Sequence, residues 1–474
     1  MNIKSDWLIF PFIFASTLIL YHTSLSYYFF QDDWFVLKWL RSGDFGSFLG
    51  FRTDIIYWRP LSMPLLFAFA KSIFGLNAFG FHLIAFLIFF LLIIAVHKLM
   101  LMLLKNHKLA LSASFMYAIW PIHYISLSWL STTAYIIGPL FQTLSFIFFV
   151  KFIEEKKRIF QIASFLLFVF GIASSEFTLV LPLIFLVWLL FFYKKSDKKL
   201  QVFSLVPFFE IILIYLVVRF SIFPIPARGD YELHFDLRQI FNNFIWYVAW
   251  ALGLPESFKS LIFPSLPAQS FKIITQFWTI TLPVFLLSLL LLKQVLTNFR
   301  KNTKIYVFGL LWFSIGLLPV IAITDHSFPM YLSFSGLGLL YITFNLFKKS
   351  NNVLQFLLIG LWLVVSYTNL QFTRLTHWIR NEQAISRVYV EYVREKITDP
   401  PPYSIFLFKP ADLTFSQKKQ FLILSGQDTL RQSLNNQDAM QVIFNDLTLQ
   451  SFYTTHQQNL DLPKNVQIFE IVPH

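Results

Sequence analysis

The chain has 474 residues, of which 56% are hydrophobic, 60 are Phe and only 13% are charged, where soluble proteins carry about 25% charge. So much apolar surface cannot be hidden from water in one core of this length, which excludes an ordinary cytosolic enzyme and makes the bilayer the main solvent. The absence of Cys excludes disulfides, thiolate nucleophiles and Cys-ligated metals, and the net charge of +13 sits mostly in linkers between apolar runs, which argues for a topology signal and against nucleic acid as a partner.

A crossing helix takes about 20 apolar residues, and Lys/Arg-rich linkers mark the cytoplasmic side. The first run, 7–27, has Lys4 before it and two aspartates after it, so its amino end is placed in the cytoplasm; no small-residue cleavage site follows, so it reads as a span. The loop 28–78 then contains WFVLKWL and LSMPLLFAFAKSIF, the second opened by Pro60, both expected as helices in the headgroup plane. Further spans are expected at 79–104, 109–128, 132–150, 159–174, 177–193 and 202–223. The run 240–263, broken by LGLPES, is expected to be interfacial or re-entrant, because a crossing there would put the basic linker 293–304 outside. Spans at 273–292, 305–323, 331–347 and 353–372 complete about eleven, with the carboxyl end extracytoplasmic.

The expected fold is therefore an all-α multi-pass membrane protein over 1–372 with a small carboxyl-terminal α/β domain over 373–474. In the latter, Trp378, Ile385, Val388, Tyr389, Tyr392 and Val393 recur at helical spacing. SIFLF, MQVIF and VQIFEIV follow the DPPP break and have strand character. No N-x-S/T acceptor site occurs, which favours a bacterial plasma membrane.

Candidate chemistry gathers outside the spans. Asp32 and Asp33 follow the first span in FFQDDW, and acids beside an apolar interface are costly to keep. Adjacent residues point in different directions, so one is expected to face a reaction and the other to orient it; the plain alternative is a helix cap with a solvated neighbour. Glu176, in the tight turn SSEFTLVLP, is a second acid, a ligand for a divalent cation, or a loop acid in water. Arg59 in YWRPLS suits phosphate oxygens or snorkels to headgroups, and Arg219 and Arg228 carry the same two readings. His82, His123 and His326 lie near span ends without metal-site spacing, and packing is the commoner role of such residues. Tyr331 suits a phosphate contact or the aromatic belt. Glu210, toward the inner end of its span, reads as structural.

FFQDDW, WRPL, FHLIAFLIF, WPIHYISLSWLS and SSEFTLVLP, in this order and on these sides of the membrane, together resemble the GT-C class of polyprenyl-phosphate-sugar-dependent glycosyltransferases, especially the protein O-mannosyltransferase-like branch. That resemblance implies a hexosyl- or mannosyltransferase acting on the outer face. It would use a polyprenyl-phosphate or diphosphate donor and a hydroxyl acceptor on protein, lipid or glycan, with inversion at the sugar. Asp32 or Asp33 would be the base, with Arg59, Glu176 and His123 lining the site. Where the family has a lysine before the turn glutamate this chain has Ser175, and HSFPMY lacks the family's arginine before the late tyrosine. His326, Arg219 and Arg228 remain as contacts to the donor phosphate. A divalent cation, magnesium or manganese, would be held by Asp32, Asp33 and Glu176. The rival reading, a transporter or flippase of lipid-linked saccharide, expects midplane charges and related halves, and neither is evident.

Overall fold

A computed structural model describes residues 9–53, 55–193, 202–222, 229, 231–262, 272, 274–298, 303–409, 427–454 and 466–472. Among the described residues, six helices are long and apolar enough to cross a membrane: Ile9–Ser26, Ala78–Leu104, Leu130–Glu155, Trp278–Asn298, Pro329–Lys349 and Asn352–Thr376. With 18 to 27 residues each, they span about 27–40 Å, enough for a hydrocarbon core of about 30 Å. Several begin where the sequence supplies a cap. The side chains of Asn77, Asn106 and Asn351 accept hydrogen bonds from the first-turn amides of Phe79, Leu109 and Leu354 at 3.0–3.1 Å, satisfying donors that a helix start leaves open.

These six helices meet six of the eleven expected crossings. Three others are shorter apolar helices, Arg158–Ile172, Glu176–Phe192 and Thr303–Leu317, and 202–223 becomes Val206–Ile222. The run 109–128 is broken. Its helix His107–Ala118 stops before Pro121, Trp120 is extended, and a 3-10 turn leads into the short helix Tyr124–Ser128. Proline has no N–H to continue the ladder and pushes its predecessor out of helical space. The run 240–263 is interrupted as expected: helix Leu237–Ala251 ends at Gly253, whose φ of +96° suits glycine, and a short helix Phe258–Ile262 follows.

Most residues of Leu130–Glu155 and Pro329–Lys349 are buried at the centre of the bundle, whereas 28% and 33% of Trp278–Asn298 and Asn352–Thr376 are, leaving Phe285, Leu289 and Leu296 exposed as lipid-facing residues would be. Helix Thr303–Leu317 approaches Leu332–Leu346 at Gly309 and Gly338, where a Cβ on Gly338 would strike the Gly309 carbonyl. Such small residues are how membrane helices gain contact when hydrophobicity offers no drive between them.

A second core lies at the first-loop end of the bundle. Phe29, Trp34, Val36 and Leu37 share it with Met63 and Phe67, and with Val390, Val393, Phe406, Phe408, Leu434, Met440 and Ile471 from the carboxyl-terminal segment. Helix Trp378–Lys396 leads into that segment. Its sheet is parallel, in the order β2-β1-β3, with β1 (Ile405–Phe408), β2 (Gln450–Tyr453) and β3 (Ile468–Ile471). All four residues of β1 are buried, as a central parallel strand requires. SIFLF and VQIFEIV thus supply strands, but MQVIF does not: it falls in helix Asp438–Ile443, with Ala439, Met440 and Val442 buried beside helix Asp32–Ser42. Short apolar runs do not choose between helix and strand by period alone, and the packing decides. The third strand comes from QSFY, a partly exposed edge without apolar alternation.

Candidate active site

The two expected loop helices form, as Asp32–Ser42 and as a π turn Leu61–Leu65 continuing into Leu66–Phe74. The adjacent acids at the start of the first have opposite environments. Asp33 is fully buried; its Oδ1 accepts the Ser131 amide at 2.8 Å and its Oδ2 the Phe30 amide at 3.3 Å. It ties the loop to the start of span Leu130–Glu155. Burial pushes the Asp33 carboxyl up to about 8, against the pull of those two amides. Asp32 points elsewhere, is only partly buried, and accepts no hydrogen bond among the described residues. Burial raises it to about 6, with Arg59 pulling down and Asp438 pushing up.

Arg59 lies within electrostatic reach of Asp32 but is forked onto Glu176, Nε donating to Oε2 at 2.8 Å and Nη2 to Oε1. Nη2 also donates to the Tyr135 hydroxyl at 2.9 Å, and the guanidinium lies 4.4 Å from the Tyr57 ring centre. Burial alone would push Glu176 up, yet Arg59 holds it below the ordinary carboxylate range. Glu176 is therefore an ionised partner for Arg59, and the pair keeps a cation beside Asp32. Arg219 is near enough to feel Glu176 and Tyr215. Tyr331 packs on Tyr135 and Phe177, each 4.9 Å between ring centres, and His326 stacks on Tyr231 at 4.4 Å. Tyr231 in turn feels Asp32, Arg59 and Glu176. Tyr57, Tyr135 and Tyr231 were not singled out from the sequence, where they look like aromatic-belt residues.

A groove of about 1590 Å³ is lined by the apolar Phe241, Ile245, Leu261, Phe277 and Phe372 and by the polar Lys259, His234, Asp325, Glu256 and His377. Lys259 donates to the Thr324 carbonyl at 2.9 Å and to the Ser327 hydroxyl, and His377 meets Glu256 at 2.9 Å. Asp32, Asp33, Arg59 and Glu176 are not among the groove's lining residues, and two of its aromatic residues pack on neighbours of that cluster. Trp378 packs on Phe30 and Trp129, while Phe328 packs on His326. A lining that combines apolar and polar side chains suits an amphipathic ligand.

The remaining expected residues fall elsewhere. His123 is buried between Phe89 and Tyr117, 4.7 and 4.6 Å from their ring centres, among apolar packing. His82 is buried and hydrogen-bonded to the Leu127 carbonyl at 3.0 Å. Glu210 is exposed on its helix, and Arg228 lies outside the described residues. Asp32, Asp33 and Glu176 do not converge as a metal site: no group of three His, Asp or Glu suited to an ion occurs among the described residues. Asp33 is engaged by amides and Glu176 by Arg59, so these three do not fit a divalent cation.

No protein-family model matches this chain, and no curated protein does. Solved structures do. The oligosaccharyltransferase of Archaeoglobus fulgidus in its apo form aligns over 90% of this chain and 64% of its own, at 12% identity and a TM-score of 0.50. The same protein with zinc and sulfate aligns over 90% and 61%, at 13% identity and a TM-score of 0.47. ArnT from Cupriavidus metallidurans in the apo state aligns over 91% and 88%, at 10% identity and a TM-score of 0.34. This chain thus spans less than two thirds of the archaeal protein, and at such identity the apo alignment shows a likeness of fold.

Proposed function

We propose that this protein is a membrane glycosyltransferase that moves a sugar from a polyprenyl-phosphate or diphosphate donor to a hydroxyl acceptor, with Asp32 as general base. The observation that carries the reading is Asp32 itself: a partly exposed carboxylate without a hydrogen-bond partner among the described residues, within electrostatic reach of Arg59. The motif resemblance to GT-C enzymes and the fold likeness to an oligosaccharyltransferase support it. The narrower likeness to the protein O-mannosyltransferase-like branch rests on the motifs alone.

In this mechanism the isoprenoid lies along Phe241, Ile245, Phe277 and Phe372. Asp32 takes the proton of the acceptor hydroxyl as that oxygen forms its bond to the anomeric carbon. The bond from that carbon to the phosphate oxygen breaks on the opposite face, so the sugar inverts and polyprenyl phosphate or diphosphate leaves. A carboxylate poised near pH 6 is ionised often enough at neutral pH to act as base. Arg59, held charged by Glu176, together with Arg219 stabilises the negative charge on the departing phosphate. Asp33 does not enter the chemistry; it anchors the loop. The test is purified protein in detergent with a polyprenyl-phosphate hexose and the substitutions Asp32→Asn and Asp33→Asn. Loss of donor consumption in Asp32→Asn is expected, and full turnover in that variant would refute the assignment.

A further inference from the structure

The carboxyl-terminal segment grips the loop on both sides of Asp32. The Gln31 amide donates to the Ser433 carbonyl at 3.0 Å, and the Gln31 side-chain amide donates to Glu382. Upstream, the Tyr28 amide donates to the Gln383 side chain at 3.2 Å. Downstream, the Trp34 indole donates to Ser386 at 3.0 Å, Lys38 pairs with Asp438 at 2.7 Å, and Arg41 donates to the Gln441 carbonyl at 3.2 Å. These contacts span 352 to 400 positions of sequence for Trp34, Lys38 and Arg41.

They converge where the backbone is least at ease. Gln31 has φ +49° and ψ −126°, a region that a residue with a Cβ rarely occupies and that persists only when its surroundings impose it. Ser433 and Glu382 hold Gln31 from two directions, one through its backbone and one through its side chain. Because Gln31 immediately precedes Asp32, its ψ sets the direction in which the Asp32 side chain leaves the chain. Relaxation of that angle would swing the carboxylate, and a displacement of about 1 Å costs a reaction about 100-fold. Glu382 is buried, although it is an acid on the apolar stripe of its helix, and it lies close enough to feel the Asp32 charge. The other charged or titratable groups facing Asp32 are Arg59, Asp438, Asp33, Tyr57 and Tyr231.

We propose that Gln31 and Glu382 are positioning residues, through which the carboxyl-terminal segment holds Asp32 in its reactive orientation. The inference rests on the reading of Asp32 as the base. The experiment uses full-length protein in detergent with a polyprenyl-phosphate hexose, comparing Gln31→Ala, Glu382→Ala, Glu382→Gln and Asp32→Asn. Gln31→Ala and Glu382→Ala should lower kcat by about 10- to 100-fold while donor KM changes less than about twofold. Glu382→Gln, whose amide oxygen still accepts from Gln31, should recover most of the rate. Hydrogen exchange over residues 28–37 supplies a readout that needs no turnover: amides there should exchange faster in both alanine variants and normally in Glu382→Gln. Unchanged kcat in both alanine variants, or unchanged exchange, overturns the proposal. Should Glu382→Ala fail to fold, Gln31→Ala decides, since Gln31 is only partly buried. An inert Asp32→Asn beside fully active alanine variants would sink this inference alone; an active Asp32→Asn would sink the underlying reading, leaving exchange to report on positioning.

Discussion

Buried polar groups in the bundle and at its first-loop end are satisfied in different ways. Inside the bundle some turn to their own helix, Thr17 donating to the Ile13 carbonyl at 2.8 Å, Ser114 to Ala110 at 2.7 Å and Asn345 to Tyr341 at 2.8 Å, each four positions back, while others cross between helices, as Tyr117 does to the Ser333 carbonyl at 2.9 Å and Asn369 to the Gly253 carbonyl at 2.7 Å. At the first-loop end they reach across the chain. Asp33 meets Ser131 98 positions on, Arg59 meets Glu176 117 on, and Gln31 meets Glu382 351 on. A local bond silences a hydroxyl in apolar surroundings and demands nothing of the fold. A distant bond between charged groups forms only when the whole fold is in place, so it can orient a reactive carboxylate.

That contrast is open to breakage, beginning with Asp32→Asn. Removal of the proposed base should cost about 10²–10⁴-fold in turnover without a loss of thermal stability, measured as donor consumption against thermal unfolding. Wild-type kcat/KM should fall on acidification through about pH 6, because the base must be ionised to act. Next comes Glu176→Gln, which leaves Arg59 buried without its counter-charge. A loss of about 2–3 kcal/mol is expected, below the full cost of breaking a buried pair because Glu176 keeps some contact with solvent. Chemical denaturation in detergent reads it, and a neutral result would mean that the pair does not hold the loop to the turn.

Asp33→Asn sharpens the comparison through pH. The Asp33 carboxyl is raised from 3.8 to about 8 in the folded state, so between those values the folded chain keeps a proton that the unfolded chain releases. Stability from this group is therefore present at the low end of the window and is lost as pH rises through it. Wild type should lose on the order of 3–4 kcal/mol more than Asp33→Asn between pH 5 and pH 8, compared as unfolding midpoints; parallel pH profiles would contradict it. The smallest effect belongs to the bundle: Thr17→Val and Ser114→Ala should each change stability by less than about 0.5 kcal/mol, since both hydrogen-bond partners remain within one helix. A large loss in either would erase the distinction between the two regions.

Much of this was readable from the residues. FFQDDW and SSEF marked the acids, WRP marked the arginine, and the 3.6-residue period from Trp378 onward marked the helix that carries Glu382. That same stripe held a signal left unused: Glu382 falls at the spacing of Trp378, Ile385 and Tyr389, an acid on an apolar face and so a residue with a buried partner. Nothing in the spacing joined Arg59 to Glu176. Sequence reasoning offered Arg59 to phosphate oxygens or to headgroups, while its fork is closed on a carboxylate. His123 lies within WPIHYISLSWLS yet packs among aromatics, because a neutral imidazole is acceptable in a core.

The sequence by itself determined that this protein lives in lipid and where many of its helices begin, since hydropathy, capping asparagines and proline breaks act over a few residues. Tertiary structure alone gave Asp32 and Asp33 different surroundings. The two carboxyls are identical in chemistry and adjacent in the chain, and only backbone amides delivered from Phe30 and Ser131, with Gln31 held by Ser433 and Glu382, give one of them partners and leave the other open.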